Sequence, residues 1–223
     1  MHIIGIVGRV YKNKDNQDII QTHDAVRRMI NANDELVCIT ILPTEDINYL
    51  EYIDGKDTVN NKIDCILDKC DGFIVPGGTY SYKLDEYVIN YAIKHDKPLL
   101  AICLGFQAMC SLFAKNRTKF DMTSKHDNHH GKEDEYLHSI KIKDNTMLYE
   151  ILGSEIKVNS LHHDIVDFEL NDLVVNAISD DGVIEGVELP NKKFIIGLQW
   201  HPEYLRDENT EKIMKGFIKA IKK

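Results

Sequence analysis

The stretch "PLLAICLGFQAMC", residues 98–110, decides the fold. An apolar run from Pro98 to Ile102 leads into Cys103, Gly105 follows two residues later, and an amphipathic segment carries the chain away. A run without polar alternation followed at once by helical periodicity reads as a strand buried on both faces that enters a crossover helix. Cysteine in such a place packs as a small hydrophobe. At a strand-to-helix elbow it has a second reading, because the side chain emerges at the sheet edge, at a helix N-terminus that favours thiolate. Gly105 supplies the small bulk that a sharp elbow needs. The rest of the chain has to decide between these readings.

Working outward, strand-length apolar runs alternate with longer amphipathic segments. "HIIGIVG" (2–8) precedes "DIIQTHDAVRRMINAN" (18–33), and "ELVCITILP" (35–43) precedes "NKIDCILDKC" (61–70). "GFIVPGG" (72–78) and "LDEYVINYAIKHD" (84–96) then lead to the opening stretch. This alternation predicts an α/β fold, a three-layer open and mostly parallel sheet flanked by helices. Past residue 116 the texture changes to a polar stretch, 115–136, and then to shorter alternating runs: "LHSIKIK", "SEIKVNS", "DLVVNAIS", "GVIEGVEL" and "KFIIGLQW". These predict added, partly antiparallel strands in the C-terminal half. A final helix is expected to pack Ile213, Met214, Phe217, Ile218 and Ile221 on the sheet. No repeat, low-complexity tract or linker divides the chain, so residues 1–223 are expected to form a single domain.

Composition narrows the function. The formal charge of −9, from 27 basic and 36 acidic residues, argues against a nucleic-acid surface, and the lysines are dispersed. No apolar run approaches the roughly 18 residues needed to span a bilayer, and the N-terminus lacks a signal-peptide layout, so a cytoplasmic protein without a membrane partner is expected. Five cysteines without a CxxC pair fit free thiols in a reducing compartment and no zinc site.

In an open α/β sheet ligands bind beyond the carboxyl ends of the strands. Three such ends carry unusual residues. Pro76-Gly77-Gly78 follows "GFIV", Cys103 follows "PLLAI", and Trp200-His201-Pro202-Glu203 follows "KFIIGLQ". The glycines allow tight turns that aim backbone N–H groups outward. His201 and Glu203, two residues apart, suit a base and its orienting carboxylate. Each has a plain structural reading in isolation; a thiol, an imidazole and a carboxylate at the ends of one sheet point to catalysis.

The motifs "VPGGT", "AICLGFQAMC" and "GLQWHPE", in this order, resemble class I glutamine amidotransferases over effectively the whole chain. "VNSLHHD" (158–164) and "IGIVGR" (3–9) are more similar to the γ-glutamyl-γ-aminobutyrate hydrolase (peptidase C26-like) group. The resemblance implies a flavodoxin-like fold and a catalytic triad of Cys103, His201 and Glu203. It also implies an oxyanion hole from the N–H groups of Gly78 and Leu104, and substrate contacts from Gly77, Gln107 and His163. It implies cysteine-dependent cleavage of the γ-glutamyl amide bond of glutamine or a γ-glutamyl amine, or, as the alternative, a glutaminase subunit supplying ammonia to a separate synthetase. The substrate is a small γ-glutamyl molecule, and the protein partners considered are a synthetase or a second copy of the chain. The hydrolase group usually has Gly and Arg where Ala101 and Leu104 stand here, often Asn at Cys110 and Gln at Asp164. "CLG" is more typical of biosynthetic amidotransferases.

No cofactor and no metal are expected. His126, His129, His130 and His138 match no zinc spacing and read as a polar loop. His163 either shapes the pocket or packs, Tyr80 and Tyr82 either cap the pocket or sit in an exposed loop, and the thiols other than Cys103 read as packing residues.

Overall fold

The computed structural model of the chain describes residues 1–43, 61–79, 83–115 and 129–223. The first half runs β1 (His2–Val7), β2 (Arg9–Lys12), β3 (Asp18–Gln21), α1 (Asp24–Asn31) and β4 (Leu36–Ile41), then α2 (Asp64–Leu67), β5 (Gly72–Val75), α3 (Lys83–His95), β6 (Leu99–Ile102) and α4 (Leu104–Leu112). The second half runs β7 (His138–Ile142), α5 (Met147–Leu152), β8 (Glu155–Val158), β9 (Val174–Ser179), β10 (Ile184–Glu188), β11 (Ile195–Leu198), α6 (Pro202–Leu205) and α7 (Glu208–Ile221).

Nine strands make one sheet in the order β4, β1, β5, β6, β11, β10, β9, β7, β8. Pairing from β4 through β11 is parallel and from β11 through β8 antiparallel. The division falls where the sequence texture changes, except that β11 crosses back to lie parallel to β6. This is the layered sheet expected from the alternation of runs, in the flavodoxin-like arrangement that the resemblance implies.

Period-two alternation along the buried strands builds a core on each face. Ile74, Leu100, Ile102, Ile196 and Leu198 face α1, α5 and α7. Phe73, Val75, Leu99, Ala101 and Ile195 face α3 and α4. Each such side chain contributes about 1.5–3 kcal/mol on burial, which is why runs without polar alternation settle in the middle of three layers. On α7, Asp207 caps the first turn by accepting from the Thr210 N–H at 2.8 Å, and Ile213, Met214 and Phe217 are buried as their spacing predicts.

Two expectations change in detail. The segment 18–33 is not one amphipathic helix: Asp18–Gln21 pairs antiparallel with β2, and the helix begins only at Asp24. Consecutive β-branched Ile19 and Ile20, partly exposed, suit a short ribbon better than a helix. Cys65 is exposed on α2 and is not a packing residue, whereas Cys70, Cys103 and Cys110 are buried. Tyr80, Tyr82, His126 and most of the polar stretch 115–136 lie outside the described residues. Among the described residues no helix is long and apolar enough to cross a membrane.

Candidate active site

Cys103 stands between β6 and α4 with φ +50 and ψ −105, a conformation that costs a non-glycine residue of order 1–3 kcal/mol and persists only where its surroundings enforce it. Two of them are visible. The Cys103 N–H donates to the Leu198 carbonyl at 2.8 Å, continuing the β6–β11 register, and α4 is pulled close against β5. Gly105 makes that approach feasible, because a Cβ there would lie 2.1 Å from the Val75 carbonyl oxygen.

His201 follows β11 and Glu203 lies in the first turn of α6; both are buried, Glu203 completely. The Nδ1 of His201 lies 2.8 Å from Glu203 Oε1. With the carboxylate accepting from Nδ1–H, Nε2 is left for proton exchange. The ring lies against the elbow: a Cβ on Gly77 would come 2.8 Å from His201 Cε1 and 3.4 Å from Cys103 Cβ. Burial alone would pull the His201 imidazole down, but the Glu203 carboxylate and the neighbouring Cys103 outweigh it and hold the ring well above its usual value. The thiol therefore meets, at one sheet edge, an imidazole and a carboxylate that lie about a hundred residues further along the chain.

Leu104 opens α4, so its N–H has no acceptor within the helix. Gly78 faces it, since a Cβ there would lie 3.4 Å from Leu104 Cδ2. What orients the glycine loop is Arg9, for which the sequence reading had no role. Its Nε donates to the Gly77 carbonyl at 3.0 Å, a second guanidinium nitrogen donates to the Pro76 carbonyl, and Nη1 pairs with Asp85 at 2.6 Å. Arg9 and Asp85 are both buried. In a trans peptide C=O and N–H point oppositely. Holding the Gly77 oxygen therefore turns the Gly78 N–H away from Arg9. The sequence signals for Arg9 were its place just past the end of β1, another strand end of the same sheet, and its position closing the "IGIVGR" motif.

Asn159 is a second residue that sequence reasoning missed. Its Oδ1 accepts from the His201 N–H and its Nδ2 donates to the His201 carbonyl, both at 3.0 Å, so it clamps the backbone of the histidine. Gln107 is buried one turn into α4, and its amide nitrogen donates to Gln199 Oε1 at 3.1 Å and to the Asp164 carbonyl at 3.2 Å. Any part it plays toward a substrate thus falls to its oxygen. His163 is exposed and stacks on His130 with ring centroids 4.3 Å apart, while its neighbour His162 turns inward and is buried.

The family model for Peptidase C26 matches residues 81–203, which carry all three of these residues. The chain is 27% identical over 232 residues to a glutamine amidotransferase-like protein of Rickettsia prowazekii, covering 75% of this chain and 81% of that one. It is 29% identical over 214 residues to the CTP synthase of Staphylococcus carnosus, covering 80% of this chain but only 39% of the synthase. The solved glutaminase domain of Trypanosoma brucei CTPS, with acivicin bound, has the same fold: TM-score 0.66 at 18% identity, over 100% of this chain and 94% of that one. Fold and relatives together place the chain in the class I glutamine amidotransferase superfamily. Within it, the chain belongs to the Peptidase C26 family, a family of hydrolases.

Proposed function

We propose that the chain is a glutaminase that cleaves the side-chain amide of glutamine through Cys103 and supplies the ammonia to a synthetase carried on another chain. The observation that carries the chemistry is the elbow cysteine at φ +50 beside an imidazole whose Nδ1 lies 2.8 Å from a fully buried carboxylate. In this reading the Cys103 sulfur attacks the γ-carbonyl, forming the S–C bond. The oxyanion is held by the N–H groups of Gly78 and Leu104, each donor worth roughly 3–4 kcal/mol in comparable sites. His201 passes a proton to the departing nitrogen as the C–N bond breaks, leaving a thioester. Water then attacks the thioester, His201 takes its proton and returns it to sulfur, and glutamate leaves.

Free-standing cleavage of γ-glutamyl amines is the second reading, supported by the family match and by "VNSLHHD". The sequence placed that reading first. CTP synthase relatives, in which the matched region is 39% of a longer chain, favour the ammonia-supplying one.

Glutamate release by the purified chain from glutamine and a panel of γ-glutamyl amines, beside Cys103→Ala, is the test. Slow, Cys103-dependent turnover confined to glutamine supports the partner-dependent glutaminase. Fast turnover of γ-glutamyl amines would replace it with the free-standing hydrolase. Release that survives Cys103→Ala would sink both.

A further inference from the structure

Away from Cys103, three imidazoles surround one buried carboxylate. Glu185, on β10, is fully buried, and its Oε1 lies 3.0 Å from His129 Nδ1, 3.5 Å from His138 Nε2 and 3.5 Å from His162 Nε2. His129 and His162 are buried and His138 is largely so. The four residues come from four segments: the residues before β7, the first position of β7, the segment after β8, and β10. That dispersal is why no zinc spacing was legible in the sequence.

The outer nitrogens are engaged in a way that decides what the inner ones present. His129 Nε2 lies 3.0 Å from Asp181 Oδ2, His162 Nδ1 3.0 Å from the Asp164 carbonyl, and His138 Nδ1 3.3 Å from the Ser139 carbonyl. A carbonyl or carboxylate can only accept, so each outer nitrogen carries the proton; a neutral ring then turns a lone pair inward, whereas a protonated one donates to Glu185. Buried lone pairs facing a buried carboxylate repel one another unless a cation lies between them. His138 Nε2, His162 Nε2 and both oxygens of Glu185 make no directional hydrogen bond among the described residues.

The spacing suits an ion. Donors about 2.0–2.1 Å from a tetrahedral zinc stand about 3.3 Å apart, close to the 3.0 Å and 3.5 Å that separate Glu185 Oε1 from His129 Nδ1 and His162 Nε2. Donor atoms of His129, His162 and Glu185 all lie within 4.8 Å of one another. Outer N–H groups tied to carboxylate and backbone carbonyls are the second shell that ligating histidines regularly have. Imidazole and carboxylate donors without a thiol select a borderline divalent ion such as zinc.

We propose that His129, His162 and Glu185 form a structural site for a divalent transition-metal ion, with zinc as the probe and His138 as a neighbour of the site 3.5 Å from Glu185. The ion pins the 159–164 segment to the antiparallel half of the sheet. Asn159 of that segment clasps His201, and the Asp164 carbonyl accepts from Gln107, so occupancy sets the pocket wall without touching the reacting atoms.

The test uses the full chain carrying Cys103→Ala, so that the elbow thiol cannot account for bound zinc, purified without nickel resin or chelator. Elemental analysis is expected to give about one ion per chain. Stripping and re-adding zinc at a hundredfold excess over Kd should raise Tm by roughly 5–10 °C. Absorption-edge fine structure should show nitrogen and oxygen neighbours and no sulfur. Glu185→Gln and His162→Asn should each lower the ion content, and should Glu185→Gln not fold, the spectrum of the parent chain decides alone. A Tm unmoved by zinc, a sulfur neighbour, or full zinc content in a folded Glu185→Gln chain would overturn the site and leave a cluster held by protons.

Discussion

Arg9 Nε donates to the carbonyl oxygen of Gly77 across 68 residues of sequence at 3.0 Å, inside the protein. That one bond links the end of the first strand to the loop that presents the Gly78 N–H. Arg9→Lys keeps the charge but cannot hold two carbonyls and the Asp85 carboxylate with one ammonium. The expected outcome is a fall in kcat of roughly a hundredfold with KM nearly unchanged, since the loss falls on the transition state. Steady-state kinetics on glutamine check it; an equal rise in KM with kcat intact would contradict it.

Arg9→Met removes the ion-pair partner that Arg9 gives the buried Asp85 and should cost about 3–5 kcal/mol of stability. Adding Asp85→Leu should recover most of that in urea unfolding while leaving kcat depressed. Recovery of both together would mean that Arg9 serves packing alone.

Gly105→Ala places a methyl group against backbone that cannot move without breaking the β5–β6 pairing. A loss of about 3 kcal/mol or more is expected, or failure to fold. Gly131→Ala, whose Cβ would only touch the Leu137 side chain at 3.4 Å, is the control and should change stability by no more than about 0.5 kcal/mol. Thermal denaturation of the two variants side by side measures the difference.

His201 in the folded chain holds its proton more tightly than a free imidazole, whose pKa is about 6.5. A raised folded value contributes stability that is fully present below about pH 6.5 and is lost as pH rises through the folded value. Glu203→Gln removes the largest influence that raises it. The stability difference between the parent chain and Glu203→Gln should therefore shrink as pH is raised from about 6 to about 9. A difference that grows over that window would show the sign to be wrong, and an imidazole resonance of His201 titrating at or below about 6.5 would remove its basis.

Burial pushes the Cys70 thiol up to about 11 and raises Cys110 and Cys38 as well. At pH 7.5 a thiol at about 11 is thiolate in only about three molecules in ten thousand. In a Cys65→Ser chain, iodoacetamide should therefore modify Cys103 before Cys38, Cys70 or Cys110. Peptide mass mapping over a time course reads the order; early labelling of Cys70 or Cys110 would be inconsistent with it.

The catalytic candidates were legible because each stands at the end of an apolar run, and the ends of buried strands share one edge of a sheet. Arg9, Asn159 and Glu185 were not. Each acts through a partner at least 42 residues away in the chain, and nothing local marks a charge as buried. The histidine pair shows the same limit. Residues 162 and 163 are equivalent in the sequence, yet one is buried beside Glu185 and the other is exposed against His130.

Short apolar runs without polar alternation had to be covered on both faces, and this by itself determined the layered, mostly parallel sheet and the thiol at the elbow. Register between distant strands, the close approach of α4 to β5, and the side to which a loop turns depend on packing that no window of sequence contains. Only the tertiary structure therefore decided that a guanidinium orients the glycine loop and that four scattered side chains converge on one point.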